Sequence, residues 1–236
     1  MLIPASATRP GSIRFVRSRI RHPSAGIAVP VNTNAWNRVR YTLLAPVYDR
    51  VAGFRAQRRR SLELLALKPG ERVLVVGCGT GLDLEWIPPG VETVAGDLTS
   101  VMVERTRARA ERLGKPVEAR VMDAQALGLP DASFDAVVLH LILAVVPDPV
   151  AAIREAERTL RPGGRAMVFD KWVPDGRAPS PGRRLLNLAA NLVATDVTRR
   201  LGDLVASTGL RVEHREPAGA GGFFSIALLR KPGPAE

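Results

Sequence analysis

Residues 73–84, VLVVGCGTGLDL, run from four apolar residues into three glycines at alternate positions, Gly77, Gly79 and Gly81, and then to Asp83 between two leucines. A short apolar run followed by such a turn predicts a buried strand that ends in a ligand-binding loop. Glycine is placed there when the backbone must take left-handed dihedrals or come close to a ligand, since a side chain forbids the first and obstructs the second. A dinucleotide-binding turn reads G-x-G-x-x-G. Counted from Gly77 its third glycine would fall at Leu82, so the spacing here is G-x-G-x-G, closed by Gly81.

Outward from this turn the chain alternates. Strand-like runs at Arg72–Val76, Val91–Gly96, Val117–Val121, Phe134–Leu139 and Gly164–Asp170 enclose helical candidates at Gly81–Ile87, Ser100–Leu113 and Pro149–Leu160. Such alternation predicts a parallel sheet with helices on both faces. Two more helices are expected at Pro181–Ala194 and Thr198–Ser207, before a closing strand pair in LRVEHREP and GGFFSIALLRK. Upstream, Trp36, Val39, Leu43, Val47, Val51 and Phe54 recur every three or four residues, the period of an amphipathic helix. Pro46 should break it, with a second helix continuing through Leu67.

The charge is unevenly placed. Residues 1–60 hold twelve arginines and one acid, Asp49, which accounts for the whole net charge of +11; the remaining 22 basic and 22 acidic residues cancel. Arg-rich coding explains arginine over lysine, but not the missing acids. An acid-free basic segment is drawn to polyanionic surfaces, whether anionic phospholipid or nucleic acid. Residues 1–34 lack sustained periodicity and read as a flexible extension, whose composition also resembles an organelle transit segment. The longest apolar stretch, Ala136–Val146, is too short to span a bilayer and contains His140. One cysteine, Cys78, excludes an internal disulfide framework and a multi-cysteine metal site. We therefore expect a cytoplasmic protein with no metal, with peripheral contact at the inner face of the membrane as a further expectation.

VAGDLT ends in Asp97 at the close of the second strand, where a carboxylate can accept two ribose hydroxyls. VMDAQAL places Asp123 after the third. Together with VLVVGCGTG, LPDASFDAVVLHLILAVVPDP and LRPGGRAMVFD, in that order, the chain resembles class I S-adenosylmethionine-dependent methyltransferases over about Tyr41 to Lys231. The resemblance implies an α/β fold: a Rossmann-like doubly wound sheet of about seven strands, mostly parallel with a C-terminal antiparallel strand, plus N-terminal lid helices. It divides the chain into the extension 1–34, lid helices 35–66 and a methyltransferase domain 67–233. S-adenosyl-L-methionine is the implied cofactor. Its implied contacts are Gly77, Cys78, Gly79, Thr80 and Gly81 on the loop, then Asp97, Leu98 and Met102. Asp123 and Ala124 at the adenine and Leu139 complete the domain's set, with Tyr41 and Tyr48 added from the lid. Where the family usually has an acid two residues before the first glycine, this chain has Val75, and Asp83 is the candidate substitute. His140, Asp170 and Tyr48 are the catalytic candidates: His140 to take a proton or orient the acceptor, Asp170 to hold a cationic amine, Tyr48 from the lid.

YTLLAPVYDRVAG and the motifs after it most resemble soluble bacterial phosphatidylethanolamine N-methyltransferases, implying a lipid amine as acceptor. Ubiquinone and menaquinone C-methyltransferases share the Y-D segment, so C- or O-methylation of a quinone or other small natural product stays open. The apolar segment Leu185–Val197 would roof either substrate. The chain lacks the N/D-P-P-Y/F/W tetrapeptide and the Pro-Cys pair of DNA methyltransferases, which counts against nucleic acid. A non-catalytic binding module is the remaining alternative.

Overall fold

The computed structural model describes residues 32–173, 182, 195–219 and 222–233. The opening stretch becomes β1 (Arg72–Val76), whose last four residues are all buried. Around it lie β2 (Glu92–Asp97), β3 (Val117–Val121), β4 (Phe134–His140), β5 (Leu160–Lys171), β6 (Arg211–Pro217) and β7 (Phe224–Arg230) in the order β3-β2-β1-β4-β5-β7-β6. β7 alone runs antiparallel to its neighbours. The order reverses direction at β1, whose two neighbours are β2 and β4. That is the switch point where open α/β sheets bind ligands beyond the carboxyl strand ends. The seven-stranded, mostly parallel α/β fold is therefore as the sequence predicts.

Two apolar layers sandwich the sheet. One gathers Leu74, Val137, Leu139, Ile153 and Trp172; the other gathers Leu65, Val73, Val75, Val138 and Phe169. Consecutive residues of β1 and β4 thus point to opposite faces, and both faces are covered, as continuous apolar runs require. α4 (Ser100–Arg112) packs beside β2 and β3, and α5 (Pro149–Thr159) beside β5. Their starts follow from local chemistry: Thr99 Oγ1 accepts from Met102 N, and Asp148 accepts from Val150 N and Ala151 N ahead of Pro149.

The helical candidate after the glycine turn, Gly81–Ile87, is a 3₁₀ helix over Leu82–Trp86. Lys115 Nζ closes its end on the carbonyls of Leu84 and Ile87 at 2.5 and 2.6 Å. The lid has three helices, α1 (Asn34–Leu44), α2 (Tyr48–Val51) and α3 (Arg55–Leu65). Pro46 ends the first as expected, but the second does not run on to Leu67. It stops at Gly53, whose Cβ would lie 2.7 Å from Asp49 O, and at Phe54, which turns left-handed at φ 39°. Phe54 is fixed there by edge and tilted contacts to Phe169 and Phe224, with ring centroids 5.7 and 5.0 Å away. The extension before residue 32, all but residue 182 of the helix expected at Pro181–Ala194 and all but the last three residues of the expected roof lie outside the described residues. A five-residue helix, Leu201–Val205, stands within the range expected at 198–207.

Candidate functional site

A crevice of about 630 Å³, counted out to its mouth, opens over the carboxyl ends of β1, β2, β3 and β4. Its floor is the glycine turn. Gly77, Gly79 and Gly81 have φ of 67°, 54° and 78°, all left-handed. A Cβ on Gly77 would meet Ile142 Cδ1 at 2.7 Å, and one on Gly79 would meet Tyr48 Cε1 at 3.0 Å. The loop is thus gripped between the segment after β4 and the lid, with no room for a side chain.

Two carboxylates line it from the ends of adjacent strands, β2 and β3. Asp97, ending β2, accepts Gly79 N on Oδ2 at 3.0 Å, and Thr99 N and Oγ1 on Oδ1 at 3.0 and 3.1 Å. Burial raises its pKa, while the amides of Thr99 and Gly79 pull the other way. Asp123, after β3, accepts Asn34 Nδ2 on Oδ2 at 2.6 Å, and Gln125 N and Nε2 on Oδ1, each at 3.0 Å. Each carboxylate accepts three hydrogen bonds and, of about four acceptor positions, keeps about one on Oδ2 for a ligand. Among the described residues no basic side chain lines the crevice. Two carboxylates without a cation suit a nucleoside carrying positive charge and oppose a pyrophosphate.

The lid closes one side. Asn34, Asn37 and Tyr41 of α1 face inward with Tyr48 of α2. The tyrosine rings meet edge-on, centroids 6.1 Å apart. Burial pushes the Tyr41 hydroxyl up to about 12 and Tyr48 higher still, so both phenols remain neutral. α2 is latched to the loop because Asp49 accepts from Thr80 Oγ1 and from Arg109. α1 is pinned where Asn37 Nδ2 donates to Val145 O at 3.1 Å and to Asn32 Oδ1 at 3.0 Å.

The crevice brings together Tyr41, Tyr48, Gly77, Gly79, Asp97, Leu98, Met102, Asp123 and Ala124. It does not bring in the other expected residues. Cys78 turns into the core, where burial pushes its thiol up and Thr106 Oγ1 lies 3.4 Å away. Thr80 serves the latch, Gly81 precedes the 3₁₀ helix, and Leu139 is fully buried.

Both domain-borne catalytic candidates require correction. His140 is 3% exposed; Nδ1 meets Asp83 Oδ1 at 2.8 Å and Nε2 meets Ser61 Oγ at 2.9 Å, so neither nitrogen can reach an acceptor. Asp170 is fully buried and accepts the amides of Ala144 and Lys171, which orders the loop after β4. Asp83 does not replace the acid absent at Val75 either. It is 2% exposed, with Oδ1 on His140 and Oδ2 on Arg58 Nη1 at 2.7 Å. Burial alone would raise its pKa, but the charge of Arg58 and the contact with His140 hold it well below the usual carboxylate range.

Sequence reasoning missed the inner wall, Leu141, Ile142, Val145 and Val146, and the lid's Asn34 and Asn37. The spacing of Asn34, Asn37 and Tyr41, three and then four residues, was the available signal. Leu141 carried none; its left-handed φ of 58° appears only in the fold.

A model of the methyltransferase domain family matches residues 74–168. A phosphatidylethanolamine N-methyltransferase of Cereibacter sphaeroides is 32% identical over 164 residues, covering 69% of this chain and 81% of that protein. A demethylmenaquinone methyltransferase of Thermus thermophilus is 33% identical over 175 residues, 70% of this chain and 76% of that one. Among solved structures, the cyclase SpnF superposes with a TM-score of 0.71 at 21% identity, covering 87% of this chain and 99% of its own, a likeness of fold alone.

Proposed function

We propose, of a chain that belongs to the methyltransferase domain family and is an S-adenosylmethionine-dependent methyltransferase, that its acceptor is the amine headgroup of phosphatidylethanolamine or its methylated derivatives. One observation carries the lipid reading. α1 lines the crevice with one face and exposes apolar residues on the other: Trp36 is 41%, Val39 52% and Leu43 74% exposed. Arg38 and Arg50 are exposed on the same lid. A helix that lays such a face in the headgroup region puts the crevice beside the amines of neighbouring lipids. The likeness to the Cereibacter enzyme supports the same acceptor.

The residues present fit the cofactor. Gly77 and Gly79 line the crevice with backbone and no side chain. On our reading Asp97 takes the ribose hydroxyls, and Asp123 with the Ala124 amide takes the adenine. Tyr48 covers the aminoacyl end above Gly79. When bound, S-adenosylmethionine supplies a methyl group made electrophilic by its sulfonium charge, so a lone pair on the acceptor displaces a neutral thioether. The protein needs no strong acid for this. Its task is to align the reacting atoms and keep water out. The latched lid and the apolar wall at Ile142, Val145 and Val146 serve that end. A dry wall also favours the unprotonated amine that the reaction requires.

Incubation with labelled cofactor and phosphatidylethanolamine vesicles tests the reading. Label should enter the lipid; methylation of another acceptor with none in lipid would overturn it. The second reading, transfer to a quinone or other small natural product, rests on that same apolar wall and on the likeness to the Thermus enzyme. Acceptor profiling of a cell extract separates the two.

A further inference from the structure

The lid carries buried polar atoms without partners among the described residues. Arg40 of α1 is 9% exposed, and among the described residues its Nε and Nη2 have no hydrogen-bond partner. One turn earlier Asn37 is 3% exposed; its Nδ2 is used twice, but its Oδ1 has no partner among the described residues. A guanidinium keeps its charge in proteins, and burying one without an anion is costly. The guanidinium of Arg40 lies over Tyr41, whose ring centroid is 4.3 Å from Arg40 Cζ. Its phenol stays neutral, so it offers a π face but no counter-charge. Asn37 and Tyr41 both line the crevice, and residues three apart on a helix are surface neighbours. Arg40 does not itself line the crevice, but on α1 it neighbours Asn37, which does, so an unfilled acceptor in the crevice wall has two unfilled cationic donors next to it on the helix.

We infer that Asn37 and Arg40 form the acceptor subsite, in which Asn37 Oδ1 takes an N–H of the amine to be methylated and Arg40 Nε and Nη2 take an oxyanion, the phosphodiester, two carbons away. The inference rests on the phospholipid reading above, and it adds the requirement that the acceptor carry an anion close to its nucleophile. An uncharged quinone would leave Arg40 unpaired. The guanidinium's two donors suit a bidentate grip on phosphate, which lysine does not reproduce.

The test compares wild type, R40Q, R40K and N37A on phosphatidylcholine vesicles containing phosphatidylethanolamine, so that bulk surface charge contributes little. Losing a charge-assisted contact should raise the acceptor KM of R40Q by about tenfold or more. Its Kd for S-adenosylhomocysteine should stay within about twofold of wild type by calorimetry, a margin well under 1 kcal/mol. R40K should recover little, and N37A should raise the acceptor KM while leaving phosphate binding intact. Inorganic phosphate should bind wild type loaded with S-adenosylhomocysteine and not R40Q. An unchanged acceptor KM in R40Q overturns the inference. So does loss of S-adenosylhomocysteine affinity, which would assign Arg40 to the cofactor's carboxylate. If wild type transfers no methyl to the lipid, the phospholipid reading fails by itself. Phosphate binding then decides the Arg40 site alone: retention in R40Q, or no binding to wild type, overturns it.

Discussion

Asp83 and Arg58 meet at 2.7 Å with only 2% and 4% of their side chains exposed, and His140 takes the other carboxylate oxygen. Arg58 also donates to the carbonyls of Gly53 and Ala52 at 3.0 and 3.3 Å, tying the lid's last hinge to the segment after the glycine turn. Removing one partner leaves the other charge buried and unpaired, so R58A should cost about 3–5 kcal/mol by chemical denaturation. The folded protein holds the Asp83 carboxyl below its ordinary value. Its ionised form therefore stabilises the fold fully above the unfolded pKa of about 3.9, and that share is lost as pH falls below it toward the folded value. Acid titration should accordingly destabilise wild type more steeply below pH ~4 than D83N, whose lower stability lacks this dependence. For His140, whose two nitrogens are both engaged, H140N should lose about 1–3 kcal/mol of stability and keep the wild-type shape of its pH–rate profile. A kcat in H140N that falls about tenfold or more while the protein stays folded would return His140 to the chemistry. None of this network was legible in order along the chain, because Asp83 and Ser61 lie 57 and 79 residues from His140. Asp97 and Asp123 were legible, since each stands at or just past the carboxyl end of a strand-like run.

At the level of elements, the glycine turn and α2 behave as one unit. Asp49 bridges Thr80 and Arg109, and Tyr48 lies against Gly79. D49A should cost only about 1 kcal/mol, because the Asp49 side chain is 46% exposed and solvent screens the pair. It should nevertheless speed amide exchange across 34–51, which mass spectrometry would resolve. Unchanged exchange there would mean that α2 is held by packing alone. G79A forces a side chain into a left-handed residue and against Tyr48; it should lose about 1–3 kcal/mol of cofactor affinity by calorimetry, with the melting temperature reporting stability separately. The central strands β1, β2 and β4 were readable because each is a short, mostly apolar run bounded by turn residues. The break between α2 and α3 was not, because Phe54 takes its left-handed turn to reach Phe169 and Phe224 on strands far along the chain. Asn34 sits on Asp123 for a similar reason: a contact across 89 residues leaves no periodic trace.

For the whole molecule, the two-sided character of α1 relates the crevice to its surroundings. If Trp36 and Leu43 enter a headgroup layer, W36D/L43D should abolish sedimentation with anionic vesicles while leaving affinity for S-adenosylhomocysteine unchanged. Wild-type binding should also weaken as salt rises, since charges near a surface are screened within about 10 Å at 0.1 M. Persistence of vesicle binding in the double variant would remove the support that this face gives to a lipid acceptor. Among the described residues no helix is long and apolar enough to cross a membrane. The fold class was legible because alternating strands and helices leave few topologies open. The acceptor was not, because methyl transfer from a sulfonium asks for alignment rather than a signature of acids and bases. The central claim is that the sugar and base of S-adenosylmethionine lie between Asp97 and Asp123, and titration calorimetry of wild type, D97N and D123N tests it most directly. We predict one cofactor per chain, with affinity reduced at least about tenfold in D97N and measurably in D123N, at unchanged melting temperatures; wild-type affinity in both variants would contradict it.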